Sequence, residues 1–230
     1  TNIQYSSTHY TGGFLVHGVS PDCNLFINVP TTTSVDTYYW TGSDWTKSST
    51  TITTATSISE SSVTILNDKI VVGQPLHTSG APAFTRGMAE YMEWDVPTKQ
   101  WGATQQQFDP PARPSEAKHA WDCGTNVWMS DSVFIGYCPS AMNSGSASND
   151  NAGAYYRYTN DGGGWVFSQI VFPDQFATSS ARLGSIEGHD QDSCVVQLST
   201  TNWHRIFYAD GSLTGYLKPS QNFGTAYSRP

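Results

Sequence analysis

Three times along this chain of 230 residues an aromatic residue ends an extended run, a polar turn follows, and a tryptophan starts the next run. Trp40, Trp94 and Tyr158 precede the turns, and Trp45, Trp101 and Trp165 follow them, in "TYYWTGSDWTKSS", "EYMEWDVPTKQWGATQQQ" and "YYRYTNDGGGWVFSQIVF". A fourth copy, "RIFYADGSLTGY", keeps the strand and the turn but places Leu213 where the tryptophan would stand. From Trp45 to Trp101, Trp165 and Leu213 the steps are 56, 64 and 48 residues. A twisted sheet of roughly four strands buries its faces only against neighbouring sheets, so a period of this length predicts the stacked blades of a β-propeller.

The rest of the chain reads the same way. Short apolar or alternating runs such as "NLFINV", "SVTIL", "KIVVGQ", "SVFIGY", "CVVQLS" and "HRIFYA" lie between Gly, Pro, Asn, Asp and Ser, which is strand and turn chemistry. About 18 residues beyond each repeated tryptophan another strand is expected, at "SVTIL", "KHAW" and "ARLGSI". The expected fold is all-β, a propeller-like repeat of about four blades, with an irregular antiparallel β-sandwich or barrel as the alternative. Residues 1–230 are read as a single all-β domain, and Thr1 in place of Met suggests that it is excised from a larger protein.

The stretch "MEWDVPTKQWGATQQQFDPPARP", followed by "DSVFIGY", resembles a Kelch-type blade, and "AYYRYTNDGGGWVFSQIVF" resembles the integrin-type propeller repeat. Both resemblances imply blades. In composition alone the chain is similar to the protruding capsid spike domains of non-enveloped viruses such as the astroviruses: low in charge, rich in Ser and Thr, and without an N-x-Ser/Thr acceptor among its eleven Asn. That likeness implies a surface that attaches to a host.

Charge narrows the classes of partner. Eleven Lys and Arg against nineteen Asp and Glu leave a net charge of −8 with no basic cluster, which argues against a nucleic-acid partner. The apolar runs are too short and interrupted for membrane insertion. Cys23, Cys123, Cys138 and Cys194 could form two disulfides, one or none; Cys123 and Cys138 flank a hairpin that a bridge could close, while buried thiols are the favoured reading.

Chemistry-bearing clusters are sparse. Glu90, Glu93 and Asp95 crowd one strand, and alternation puts Glu93 and Asp95 on one face, a single wall of a glycosidase cleft at most. Glu187, His189, Asp190 and Asp192 form a tight polar turn that does not match a calcium loop. No nucleophile elbow occurs. The expectation is a non-enzymatic recognition domain without a cofactor or metal, bound to a host-cell receptor or a glycan, with a homodimer as a further option and a virion surface or the extracellular medium as its location. The alternatives are a secreted propeller lectin, bacterial or fungal, and a glycan-cleaving enzyme using Glu93 and Asp95.

The site is expected in off-pattern aromatics and long loops. Trp45, Trp101 and Trp165, being repeated, are read as packing residues; Trp128 and Trp203 break the repeat and are candidates for binding, with His204 beside the latter. The loops at residues 76–88 and 139–153 add Phe84, Arg86, Asn149 and Asp150.

Overall fold

The computed structural model describes residues 18–20, 22, 24–59, 62–79, 84–110, 121–141, 153–171, 183–189, 193–198, 204–208 and 212. Among them the first sheet holds β1 (Gly18–Val19), β2 (Leu25–Thr31), β3 (Ser34–Trp40) and β4 (Trp45–Lys47), with β5 (Ile52–Thr53) also on β3. The second holds β6 (Val63–Leu66) and β7 (Lys69–Gln74). After a small hairpin of β8 (Thr78–Ser79) and β9 (Phe84–Thr85) it continues with β10 (Met88–Asp95), β11 (Gln100–Trp101) and β12 (Gln106–Phe108). The third is β13 (Asn126–Met129), β14 (Val133–Cys138), β15 (Ala154–Asn160) and β16 (Trp165–Val171). The fourth is β17 (Leu183–His189), β18 (Ser193–Leu198) and β19 (His204–Tyr208).

Every pairing between these strands is antiparallel, and each sheet takes its strands in chain order. The first strands stand side by side, β1 against β6, β6 against β13 and β13 against β17. This is the blade order of a propeller, all-β as the sequence predicts. Burial follows the same order. All four residues of β6 and of β13 are buried, whereas the outer strands β4, β11 and β16 carry half-buried and exposed positions.

Both faces of a sheet are apolar because alternation feeds two neighbours at once. Ile70 and Val72 of β7 join Ile27 and Val35 of the first sheet in one layer, while Val71 faces the other way with Phe108, Phe134 and Tyr156 in the layer shared with the third sheet. A third layer sets Trp128, Ile135 and Tyr155 against Cys194 of the fourth. Phe108 and Phe134 stack across the second layer with centroids 4.0 Å apart, both fully buried. Each such ring contributes about 1.5–3 kcal/mol by burial.

Two of the three repeated tryptophans tie these layers, reaching back to the sheet before them. Trp101 of the second sheet donates its indole N–H to Thr37 Oγ1 of the first at 2.7 Å. Trp165 of the third lies edge-on to Phe108 and Tyr91 of the second, at 5.2 and 6.0 Å. Trp45 instead packs within its own sheet, against Phe26 and Trp40.

Between the second and third sheets the chains meet backbone to backbone. A Cβ on Gly73 would sit 2.0 Å from the Gly124 carbonyl oxygen, and one on Gly124 would sit 2.4 Å from that of Met88. Gly87 bridges to Cys123 beside this contact, and the Cys123 amide donates to the Arg86 carbonyl at 2.8 Å. Cys123 is disulfide-bonded to Cys138, which corrects the reading of buried thiols; antiparallel pairing of β13 with β14 brings the two ends of the hairpin together, as a disulfide requires. Cys194 is buried, and Cys23 lies outside the described residues. Of "KHAW", residues 118–120 lie outside the described residues, and Trp121 is buried without regular structure ahead of the strand that starts at Asn126. The loop at 76–88 carries the hairpin β8–β9, because Thr78 and Ser79 pair with Thr85 and Phe84.

Gly42 and Gly124 both have positive φ, 98° and 88°, but nothing lies within 4 Å of a Cβ on Gly42. Gly42→Ala is expected to cost only the left-handed penalty of about 1–2 kcal/mol. Gly124→Ala adds overpacking of about 1–3 kcal/mol, so its denaturant midpoint falls further below wild type. Replacing both Cys123 and Cys138 by Ser opens a loop of 15 residues. Chemical melts should register a loss of about 3 kcal/mol.

Candidate binding surface

The hairpin β3–β4 differs from its two copies in one respect. Register sets Trp40 opposite Trp45, as it sets Trp94 opposite Trp101. In the third copy the turn of residues 161–164 sets Trp165 opposite Asn160, and Tyr158, two residues earlier, opposite Phe167. Trp94 and Tyr158 are each 8% exposed, whereas Trp40 is 41% exposed. The cause is what precedes each sheet. Tyr39 of the first sheet packs on Trp94 at 6.0 Å; Phe108 of the second packs on Tyr158 at 5.0 Å, and the Tyr158 hydroxyl donates to the Asp109 carbonyl at 2.7 Å. Trp40 has its ring contact with Trp45, 5.6 Å away and tilted by 55°.

Four rings form a graded ladder on this face. Tyr38 is stacked on Phe26 at 4.5 Å, Phe26 meets the Trp45 ring edge-on at 4.8 Å, and Trp45 leads to Trp40. Phe26 and Tyr38 are buried, Trp45 is half-buried and Trp40 is exposed. Among the described residues neither the Trp40 nor the Trp45 indole N–H has a hydrogen-bond partner, unlike that of Trp101. The ladder thus offers flat apolar area with two open donors.

The turn beside it is held in one shape. Thr41 Oγ1 donates to the Asp44 carbonyl at 2.9 Å and accepts from the Asp44 amide at 3.1 Å, while Asp44 Oδ1 accepts from the Trp45 amide at 2.8 Å. Below Trp45, Lys47 pairs with the buried Asp36 at 2.6 Å, and Thr51 Oγ1 donates to the other oxygen of Asp36 at 2.8 Å. An exposed aromatic pair with a fixed polar rim can stack on a ring and hydrogen-bond its edge without reordering itself.

The residues singled out in the sequence do not assemble into one site. Trp128 is fully buried on β13 between the third and fourth sheets, which removes it as a surface contact: β13 is a first strand, covered on both faces. Arg86 is half-buried at the junction of the second and third sheets. Phe84 lies on β9, and His204 begins β19 opposite Gln197. Trp203, Asn149 and Asp150 lie outside the described residues. Of the acids, Glu90 accepts from Gln74 at 2.6 Å, Glu93 from the Tyr91 hydroxyl at 2.5 Å and Asp95 from Thr98 at 2.6 Å. Glu187 and His189 are on β17, and Asp190 and Asp192 lie outside the described residues. Among the described residues no group of three His, Cys, Asp or Glu is placed to hold a metal ion.

No family model and no curated protein matches the chain. Among solved structures, the crystal structure of the N-terminal domain of Nup159 is similar at 12% identity, with a TM-score of 0.45 over 83% of this chain. The chain spans about half the length of that domain, 48%.

Four buried tyrosines, Tyr38 on the first sheet and three in the layer between the second and third, hold their protons tightly. Burial pushes the phenols of Tyr38, Tyr91, Tyr156 and Tyr158 above the ordinary value of 10, with added repulsion from Asp36 at Tyr38 and from Asp109 at Tyr156 and Tyr158. At Tyr91 the hydrogen bond to Glu93 adds to burial. A raised folded value means that the unfolded chain loses these protons first, so stability is whole below pH 10 and drains away as pH climbs through the raised values. In an alkaline titration, phenolate absorbance at these tyrosines should rise together with loss of native fluorescence. Full ionisation at ordinary pH with the fold intact would contradict their burial.

Proposed function

We propose that this chain is a non-enzymatic recognition domain that attaches to a glycan, or to a receptor carrying one, through the hairpin β3–β4. One observation carries the reading: an aromatic position buried in the second and third copies of the repeat is open in the first, at Trp40. Exposed large aromatics on a rigid turn are the residues that sugars stack on and that protein partners use as anchors. The net charge of −8 suits a neutral ligand better than an acidic one. The Cys123–Cys138 disulfide suits an oxidising location, the extracellular medium or the surface of a virion.

Catalysis has less behind it. Glu93 and Asp95 are exposed and engaged by Tyr91 and Thr98 on their own strand and turn. Replacing Trp40 by Ala should cut binding on a glycan array or to intact cells by tenfold or more, the loss of about 2 kcal/mol typical of a tryptophan anchor. Its thermal midpoint should fall only slightly, because Trp40 is already 41% exposed and its ring contact is with Trp45 at the edge of the sheet. Trp45→Ala should weaken binding too, and should also lower stability by loosening Phe26. Undiminished attachment by both variants would refute the site.

A further inference from the structure

The charges on the hairpin β3–β4 narrow what it can hold, an inference that rests on the site proposed above. From Ser34 to Lys47 the hairpin has two carboxylates, Asp36 and Asp44, and one cation, Lys47. Lys47 is taken up by the buried Asp36 at 2.6 Å, so it is not open to a ligand. Asp44 is placed differently. It is exposed, it immediately precedes Trp45, and its carbonyl accepts at 2.9 Å from the amide of Thr41, which immediately follows Trp40. Its carboxylate therefore stands at the tip of the turn that joins the two indoles. Oδ1 accepts from the Trp45 amide at 2.8 Å, and among the described residues Oδ2 has no partner.

We infer that Asp44 determines specificity at this hairpin: its open carboxylate oxygen accepts from a hydroxyl of the sugar stacked on Trp40, which selects neutral glycans and rejects acidic ones. A hydroxyl donating to a carboxylate makes a shorter and stronger bond than one between neutral groups. A sugar also accepts. Its hydroxyl oxygens suit the open indole N–H groups of Trp40 and Trp45, so one ligand edge can satisfy the donors and the acceptor of the rim together. An acidic sugar meets the opposite. Its carboxylate finds no unpaired cation on the hairpin, and at contact distance in water the like charge of Asp44 weakens it by roughly fivefold. The turn is already closed by its own hydrogen bonds, so this selection needs no rearrangement of the chain.

Asp44→Asn tests this with the turn intact, because the amide keeps an oxygen for the Trp45 N–H and replaces the open acceptor by a donor. Its melting curve should overlay that of wild type. Binding is read at low ionic strength, where charge is least screened, on a glycan array of matched pairs: a neutral oligosaccharide and the same chain capped with sialic acid. Wild type should favour the neutral member of each pair that it binds. Asp44→Asn should lose about tenfold on that member, and its preference over the capped one should shrink by about fivefold. Trp40→Ala, measured beside it, separates the two readings. If Trp40→Ala loses binding while Asp44→Asn keeps both affinity and preference, the role of Asp44 is overturned and the site stands. If Trp40→Ala binds undiminished, the site and the role fall together. A wild-type chain that prefers the capped members also overturns the inference.

Discussion

A sheet that is apolar on both faces is unstable alone in water, and this requirement governs the whole molecule. In β7 the sequence Ile70, Val71, Val72 sends consecutive buried residues into two different layers, one shared with the first sheet and one with the third. Neither layer can be completed within the second sheet. Stacking therefore follows from strand composition. The aromatic residues enlarge the buried area of each layer and fix its geometry, since offset and edge-on ring contacts hold neighbouring sheets in one relative placement. Trp101 adds a hydrogen bond to Thr37, a directional link that apolar area cannot supply.

The junction of the second and third sheets is held by different means. Gly73, Gly87 and Gly124 let backbone touch backbone, and the disulfide from Cys123 to Cys138 holds the same corner from the side of the β13–β14 hairpin. Ser62 Oγ, at the start of β6, donates to the Thr125 carbonyl at 3.0 Å, and Lys69 pairs with Asp131 across the same two sheets. The Lys69–Asp131 pair is largely solvated at its acid and adds little by itself. The glycines matter more, because a Cβ at any of the three would meet main-chain atoms that have nowhere to move.

The repeat was legible because its signal is local: an aromatic strand, a turn and an indole all lie within a few residues of each other. Cys123–Cys138 was only half legible, since the bridge depends on the β13–β14 register, which the sequence leaves open. Trp128 was misread for a physical reason. Standing outside the repeat looked like freedom to bind, but Val127 and Met129 on either side of it make an unbroken apolar run, the mark of a strand covered on both faces. Trp40 could not have been found by comparing copies, because equivalence in sequence implies equivalent burial. What separates it from Trp94 and Tyr158 is the ring packed on each of those, Tyr39 on the one and Phe108 on the other.

That cover follows from the direction of the packing. Trp101 reaches back from the second sheet and Trp165 from the third, so the second and third copies of the hairpin are covered by the sheet before them. The first copy uses the same residues with no earlier sheet, among the described residues, to receive Trp40. Phe26 and Trp45 then support a ring that the repeat elsewhere buries. Among the described residues nothing covers this ring as its sister copies are covered, and the turn from Thr41 to Asp44, closed by its own hydrogen bonds, keeps it presented in a single pose. Among the described residues, what distinguishes this surface from its sister copies is the cover that they keep.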